Sequence, residues 1–244
     1  MTEISVRFRP QPDTDLVQIE VALDSLRPIV DHLGKLDKTL TDWYLAGGQN
    51  AEESRRYKVF DAGINGHDSA ISMLKQQFKN GDDFIVLWNG YEESDVGAQL
   101  SLSIKQRPPF CRFTLTIGSR YGQCRIGGYQ EVAELLAIAA RQYKPMYAHV
   151  YEPVGYKLVF QDRPGVGWMA YMPRILIEDQ VTHAGALIPV MDGKDRLGTI
   201  IVSVVDEVFN ETNPAHTNIA HAIEIELVEQ DLLPLNMDLL MPPD

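Results

Sequence analysis

One continuous apolar run, Phe84–Trp88, and two runs that alternate apolar and polar residues, Gln99–Ile104 and Phe113–Ile117, follow one another with only turn-rich loops between them. Loops of that kind can reverse a strand but cannot carry a parallel crossover, so the three runs predict an antiparallel meander. A helix interrupts the pattern next. Gly127-Gly128 precedes Tyr129 to Tyr143, where Val132, Leu135, Leu136 and Ala139 share one face, and Pro145 stops the run. Strand-like runs then resume at Tyr147–Tyr151, Tyr156–Phe160, Trp168–Met172, Ala186–Val190 and Thr199–Val205. Strands grouped in threes and twos around helices predict an α+β fold of mixed, largely antiparallel sheets with helices packed against them. At 244 residues the chain reads as one domain over 1–244, divisible into lobes 1–122 and 123–244.

Local signals extend this picture. Ile4–Phe8 alternates like a strand, and Thr14 or Asp15 is placed to cap a helix carrying Leu16, Ile19, Leu23 and Leu26, with Pro28 interrupting it or starting its next turn. Trp43–Leu45 reads as a short strand before Gly47-Gly48, followed by a polar helix from Ala51 and a second from His67 to Phe78. Asn213-Pro214 opens the last helix as cap and first-turn proline, with Ile219, Ala222, Ile223 and Leu227 facing inward. Within it, Ile223-Glu-Ile-Glu-Leu227 also alternates like a strand.

The charge is unevenly placed. The chain carries 22 basic and 34 acidic residues, net −12, of which −3 falls through Gly122 and −9 after it. Arg196 is the last basic residue, and nine acids follow: Asp206, Glu207, Glu211, Glu224, Glu226, Glu229, Asp231, Asp238 and Asp244. Such a balance argues against nucleic acid as partner, because that affinity comes from cations on phosphates. The acidic segment has two readings: a solvated face that keeps the protein soluble, or a docking surface for a basic partner. No run of 18 apolar residues marks a membrane span, and the N-terminus lacks the apolar core of a secretory signal, so the expected location is the cytoplasm. There Cys111 and Cys124 stay free thiols, and the acceptor pattern Asn210-Glu-Thr212 is a chance match.

Gly165-Val-Gly-Trp-Met-Ala170 has the spacing of a dinucleotide fingerprint, but the residues after it read as a strand, whereas the fingerprint must open a helix onto pyrophosphate. Asp192-Gly-Lys194 resembles half of a nuclease metal site and equally makes an Asp-Gly hairpin turn, which is the better reading. His216 and His221 sit five residues apart, about 140° around a helix, and do not converge on one metal ion. His32, His67, His149 and His183 are scattered, and Asp82-Asp83 and Glu92-Glu93 fall beside loops. No nucleophile–base set, metal site or cofactor is expected from these patterns.

Several segments together resemble the immunity protein 52 family of bacterial polymorphic toxin systems. They are Trp43-Tyr-Leu45, Tyr57-Lys-Val-Phe-Asp61, Leu87-Trp-Asn-Gly90, the stretch from Tyr156 to Pro173 that includes Arg163-Pro-Gly-Val-Gly-Trp168, Leu197-Gly-Thr-Ile-Ile-Val-Ser203, and Asn213-Pro-Ala-His216 through Leu227 to Leu232-Leu-Pro234. The resemblance implies a protein that neutralises a cognate toxin inside the producing cell. It further implies a restriction-endonuclease-like nuclease as partner, delivered in many cases by type VI secretion. It supplies no catalytic residues. The matched residues are mostly apolar, aromatic or glycine, which suits core and turns better than an interface.

The expectation is therefore a non-enzymatic inhibitor that binds its toxin stoichiometrically, blocking the active site or substrate access, with Asp206, Glu207, Glu211, Glu224 and Glu229 as toxin contacts. An exposed Tyr or Trp is the expected anchor. Two rivals stand beside it: an enzyme whose site is assembled from distant residues such as Asp162, Arg163 and His183, and an adaptor component of a secretion apparatus. Self-association is left open.

Overall fold

The computed structural model describes residues 1–9, 15–16, 18–47, 50–61, 64–65, 68–104, 111–120, 123–151 and 156–239. In chain order the elements are β1 (Thr2–Phe8), α1 (Ile19–Leu36), β2 (Tyr44–Leu45), α2 (Ala51–Ser54), β3 (Phe60–Asp61), β4 (Ile64–Asn65), α3 (Asp68–Lys79), β5 (Phe84–Trp88), β6 (Ala98–Ser103) and β7 (Cys111–Ile117). They continue with β8 (Ser119–Arg120), β9 (Gln123–Cys124), α4 (Tyr129–Tyr143), β10 (Tyr147–Val150), β11 (Met169–Met172), β12 (Ala186–Asp192), β13 (Asp195–Val202) and α5 (Pro214–Glu229). The α+β class expected from the sequence is the one observed. Residues 9–126 with Met1 form one compact unit, and residues 2–8 with 127–244 form a second.

The first unit holds the meander, with β2, β5, β6 and β7 side by side and every pair antiparallel. Register places Leu87 opposite Leu100 and Leu100 opposite Leu115, so one buried apolar row crosses three strands. Asn89, where the first run was expected to stop, is buried and works as a connector. Its amide donates to the carbonyls of Thr39 and Val96 and accepts the amide of Ala98. Beside it Arg125 donates through Nε and Nη2 to Asp37 Oδ2, at 3.2 and 2.9 Å. Helix α1 runs through Pro28 rather than stopping there. The lost amide removes one hydrogen bond, while Ala22, Leu23, Leu26, Ile29, Val30 and Leu33 bury a continuous stripe around it. Its start also departs from expectation, since Gln18 occupies the cap position and its side chain makes no capping bond. Asp15 instead accepts from the Gln18 side chain. Thr14, Gly48 and His67 lie outside the described residues.

The second unit is a sheet between two helices, ordered β12-β13-β11-β10-β1 and antiparallel throughout. Residues in register share a face, so Val6, Ala148, Tyr171 and Ile200 line one side. Phe8, on that side, stacks on Tyr143 of α4 with ring centroids 4.5 Å apart. The opposite side carries Tyr147, Ala170 and Ile201, which cluster with Ile223 and Leu227 of α5. Helices on both faces explain why β10 and β11 are buried at every position. The Asp192-Gly193 turn joins β12 to β13, with Gly193 at φ +60°. Ile223–Leu227 is helix, and its burial follows the helical period rather than the alternation, with Ile223, Glu224 and Leu227 buried and Ile225 exposed.

Candidate functional site

The acidic C-terminal segment is built around α5. Asn213 caps it, its side chain accepting the Ala215 amide at 3.0 Å, with Pro214 in the first turn where no amide is needed. The inward face presents His216, Ala220, Ile223, Glu224 and Leu227. At the other end Asp231 adopts φ +54°, the Asp231 amide bonds the Val228 carbonyl, and the Leu232 amide bonds the Leu227 carbonyl at 2.7 Å. This is a Schellman closure with aspartate where glycine is usual.

The five expected contact residues separate into three groups. Asp206 and Glu207 are exposed and Glu211 is half-buried, all in the loop before α5, and Glu229 is exposed in its last turn. From His216, which holds Glu207, to Glu229 the helix rises about 20 Å, so these acids form two patches at opposite ends. Glu224 is a correction. It is 1% exposed, hence not available to a partner. Its Oε1 accepts the Tyr156 hydroxyl at 2.5 Å and the Val166 amide at 2.9 Å, and its Oε2 accepts the Val159 amide at 3.1 Å. Three donors compensate a carboxylate that burial would otherwise penalise.

The same bonds correct the expectation of a strand at Tyr156–Phe160, which is irregular. There the Val159 amide is satisfied by a side chain rather than a neighbouring strand. Burial, then the Glu224 charge and hydrogen bond, push the Tyr156 phenol far above its ordinary range. Tyr147, whose hydroxyl donates to the Gly165 carbonyl at 2.9 Å, is raised by burial first and by Glu224 next. Gly165 fits because a Cβ there would lie 2.4 Å from Leu158 Cδ2 and 2.7 Å from Tyr156 Cε1. Gly167 takes φ +58° and leads into β11, so the glycine pair feeds a strand. Arg163 donates to the Leu233 carbonyl and the Trp168 indole to the Val204 carbonyl, fastening this stretch to the segments around it.

The histidines of α5 serve two different loops. His216 Nδ1 accepts the Asn210 amide at 3.0 Å, which leaves its Nε2 to meet Glu207 Oε1 at 2.9 Å. His221 Nε2 donates to the Lys157 carbonyl at 2.7 Å. The Arg163 and His183 side chains are engaged separately, by the Leu233 carbonyl and by Glu226, and the Asp162 backbone carbonyl accepts the Asn236 amide. Among the described residues no group of three His, Cys, Asp or Glu is arranged to hold a metal ion, and no helix is long and apolar enough to cross a membrane.

Sequence reasoning passed over Glu226. Its Oε1 accepts the Thr182 amide and hydroxyl and meets His183 Nδ1 at 2.8 Å, and its Oε2 accepts the His183 amide. Burial raises its carboxyl, and the Thr182 and His183 bonds outweigh that to leave it below the ordinary range. Gln230 adds a bond to the Gln180 carbonyl at 2.6 Å. The turn at 177–183 is thereby clipped to the last turns of α5. No local signal announces it, because the partners are 44 and 50 residues apart.

No family model matches the chain, and no curated protein matches it. Among solved structures, a type VI secretion system protein of Pseudomonas aeruginosa aligns at a TM-score of 0.47 and 11% identity, over 91% of this chain and 72% of that one.

Proposed function

We propose that this protein is an immunity protein that binds a cognate secreted nuclease toxin stoichiometrically in the cytoplasm of the producing cell and blocks its active site or its access to substrate. The observation that carries the reading is the exposure of Asp206, Glu207, Glu229 and Asp231 in a segment with no lysine or arginine after Arg196. Glu229 and Asp231 stand at the carbonyl end of α5, where the helix dipole disfavours negative charge by a few tenths of a kcal/mol each. A basic partner would relieve that repulsion, and nucleases are basic around the cleft that holds DNA. Complementary potentials of this kind raise association rates and fix orientation. The family resemblance of Arg163–Trp168, Leu197–Ser203 and Asn213–His216 supports the same role through the fold, since these residues build core and turns. The reading is compatible with the secretion setting of the Pseudomonas aeruginosa protein and does not rest on that likeness.

Co-expression with the toxin encoded by the neighbouring gene tests it. Survival of the cells and co-purification of the two chains at a fixed ratio are expected. Reversal of Asp206, Glu207, Glu211 and Glu229 together to lysine is expected to slow association and weaken protection. Death of the cells with no complex, given a folded protein and an active toxin, would sink the reading.

A further inference from the structure

A cavity of about 400 Å³ opens in the first unit against α1. Helix geometry builds one wall. Val30 and Gly34 are one turn apart, and Arg27, Asp31 and Lys35 follow one another at the same spacing beside them. Thr41, Asp42 and Phe60 line the cavity from outside the helix. Gly34 lets the chain return this close, since a Cβ there would lie 3.3 Å from both Cα and Oγ1 of Thr41. Val30 and Phe60 are buried, whereas Asp31, Lys35 and Thr41 are exposed, so the lining is apolar inside and polar at the rim. Small-molecule sites take this form and this size.

The charges of the lining select the sign of the occupant. Asp42 Oδ1 is held by Lys58 Nζ at 2.9 Å, and Asp31 Oδ1 lies 3.7 Å from Arg27 Nη1. The Arg27 guanidinium carbon is also 5.1 Å from the centre of the Phe60 ring. Both carboxylates are thus matched by cations, and an ammonium group would have to displace Lys58 or Arg27 to reach them. Lys35 differs: among the described residues no carboxylate pairs with it, and no group bonds the Thr41 hydroxyl beside it. The rim therefore offers two donors to an anion, next to an apolar interior.

We propose that this cavity binds a small organic carboxylate, with its apolar body against Val30 and Phe60 and its carboxylate at Lys35 and Thr41. The site lies wholly in the first unit, apart from the acids of the immunity reading, and stands independently of that reading.

The test titrates the full chain with acetate, phenylacetate and indoleacetate, followed by amide chemical-shift mapping. Saturable shifts at residues 30–42 and at Phe60 are expected, with a Kd of about 1 mM or tighter for the two larger probes and weaker binding of acetate. Phenylacetamide, which has the same shape without the charge, and the variant K35E should each weaken binding by about tenfold. K194E, on the β12–β13 turn of the second unit, should leave it unchanged. Unchanged thermal unfolding of both variants excludes misfolding. The site is overturned if none of the three carboxylates saturates up to about 20 mM, or if the shifts fall elsewhere. It is equally overturned if phenylacetamide binds as well as phenylacetate, or if K35E binds as wild type does or K194E loses as much. Each of these outcomes leaves the immunity reading standing.

Discussion

Glu224 of α5 and Tyr156, 68 residues apart in the chain, share a hydrogen bond in the interior of the second unit. The carboxylate holds the 156–166 loop through that bond and through the Val159 and Val166 amides. Replacing Glu224 with alanine leaves the Tyr156 hydroxyl and the Val166 amide buried, and the Val159 amide part-buried, without their acceptor, and a loss of about 3 to 5 kcal/mol is expected. Tyr156→Phe removes one bond to a charged acceptor and costs about 1.5 to 3 kcal/mol. Chemical denaturation of the two variants checks both. A Glu224→Ala loss below about 1 kcal/mol would contradict the network.

In the first unit Arg125 is 6% exposed and its partner Asp37 is 22% exposed. Burial pushes the Asp37 carboxyl up, but the Thr39 amide and hydroxyl together with Arg125 outweigh it, leaving the group below its ordinary value of 3.8. A carboxyl depressed in the folded state contributes stability that is fully present above its unfolded pKa and lost as pH falls through its folded one. The stability of wild type should therefore decline below about pH 4 more steeply than that of Asp37→Asn. Parallel acid-unfolding curves would rule out the contribution. Arg125→Met should cost about 2 to 3 kcal/mol near neutral pH by leaving Asp37 half-buried without its cation.

Asp231 closes α5 in a left-handed conformation that glycine adopts without penalty. Asp231→Gly is expected to raise stability by about 0.5 to 1 kcal/mol, read as a higher denaturation midpoint. The same change removes an exposed carboxylate from the acidic segment proposed to meet the toxin, so association with the toxin should slow. Stability and association moving in opposite directions would mark a residue kept for binding. A lower midpoint would show that the aspartate side chain stabilises the turn.

Cys111, at the start of β7, is fully buried, and burial lifts its thiol pKa to about 11. A thiol without its thiolate form is a poor nucleophile. Cys111 should resist alkylation at neutral pH until denaturant is added, then react at the rate of a free thiol. Mass spectrometry of the labelled peptide reads this directly. Rapid labelling of the native protein would contradict it.

Much of the architecture was legible because it follows from short-range chemistry. Helix α4 runs from Tyr129 to Tyr143 as expected, set by Gly128 in front, one apolar face and Pro145 behind. The Asp192-Gly193 hairpin, the Asn213-Pro214 helix start and the β5–β7 meander are of the same kind. Tyr156–Phe160 misled because its apolar spacing fits a strand. Its environment instead includes a carboxylate on α5, 65 residues away from Val159.

By itself, then, the sequence determined most element types outside Tyr156–Phe160, the antiparallel grouping and the acidic segment beyond Arg196. These depend on periodicity, turn residues and charge, which are local properties. Only the tertiary structure decided that Glu224 is an interior anchor while Glu229, five residues later, faces solvent. A carboxylate can be buried only where remote donors converge on it, and Tyr156, Val159 and Val166 reach Glu224 through the fold.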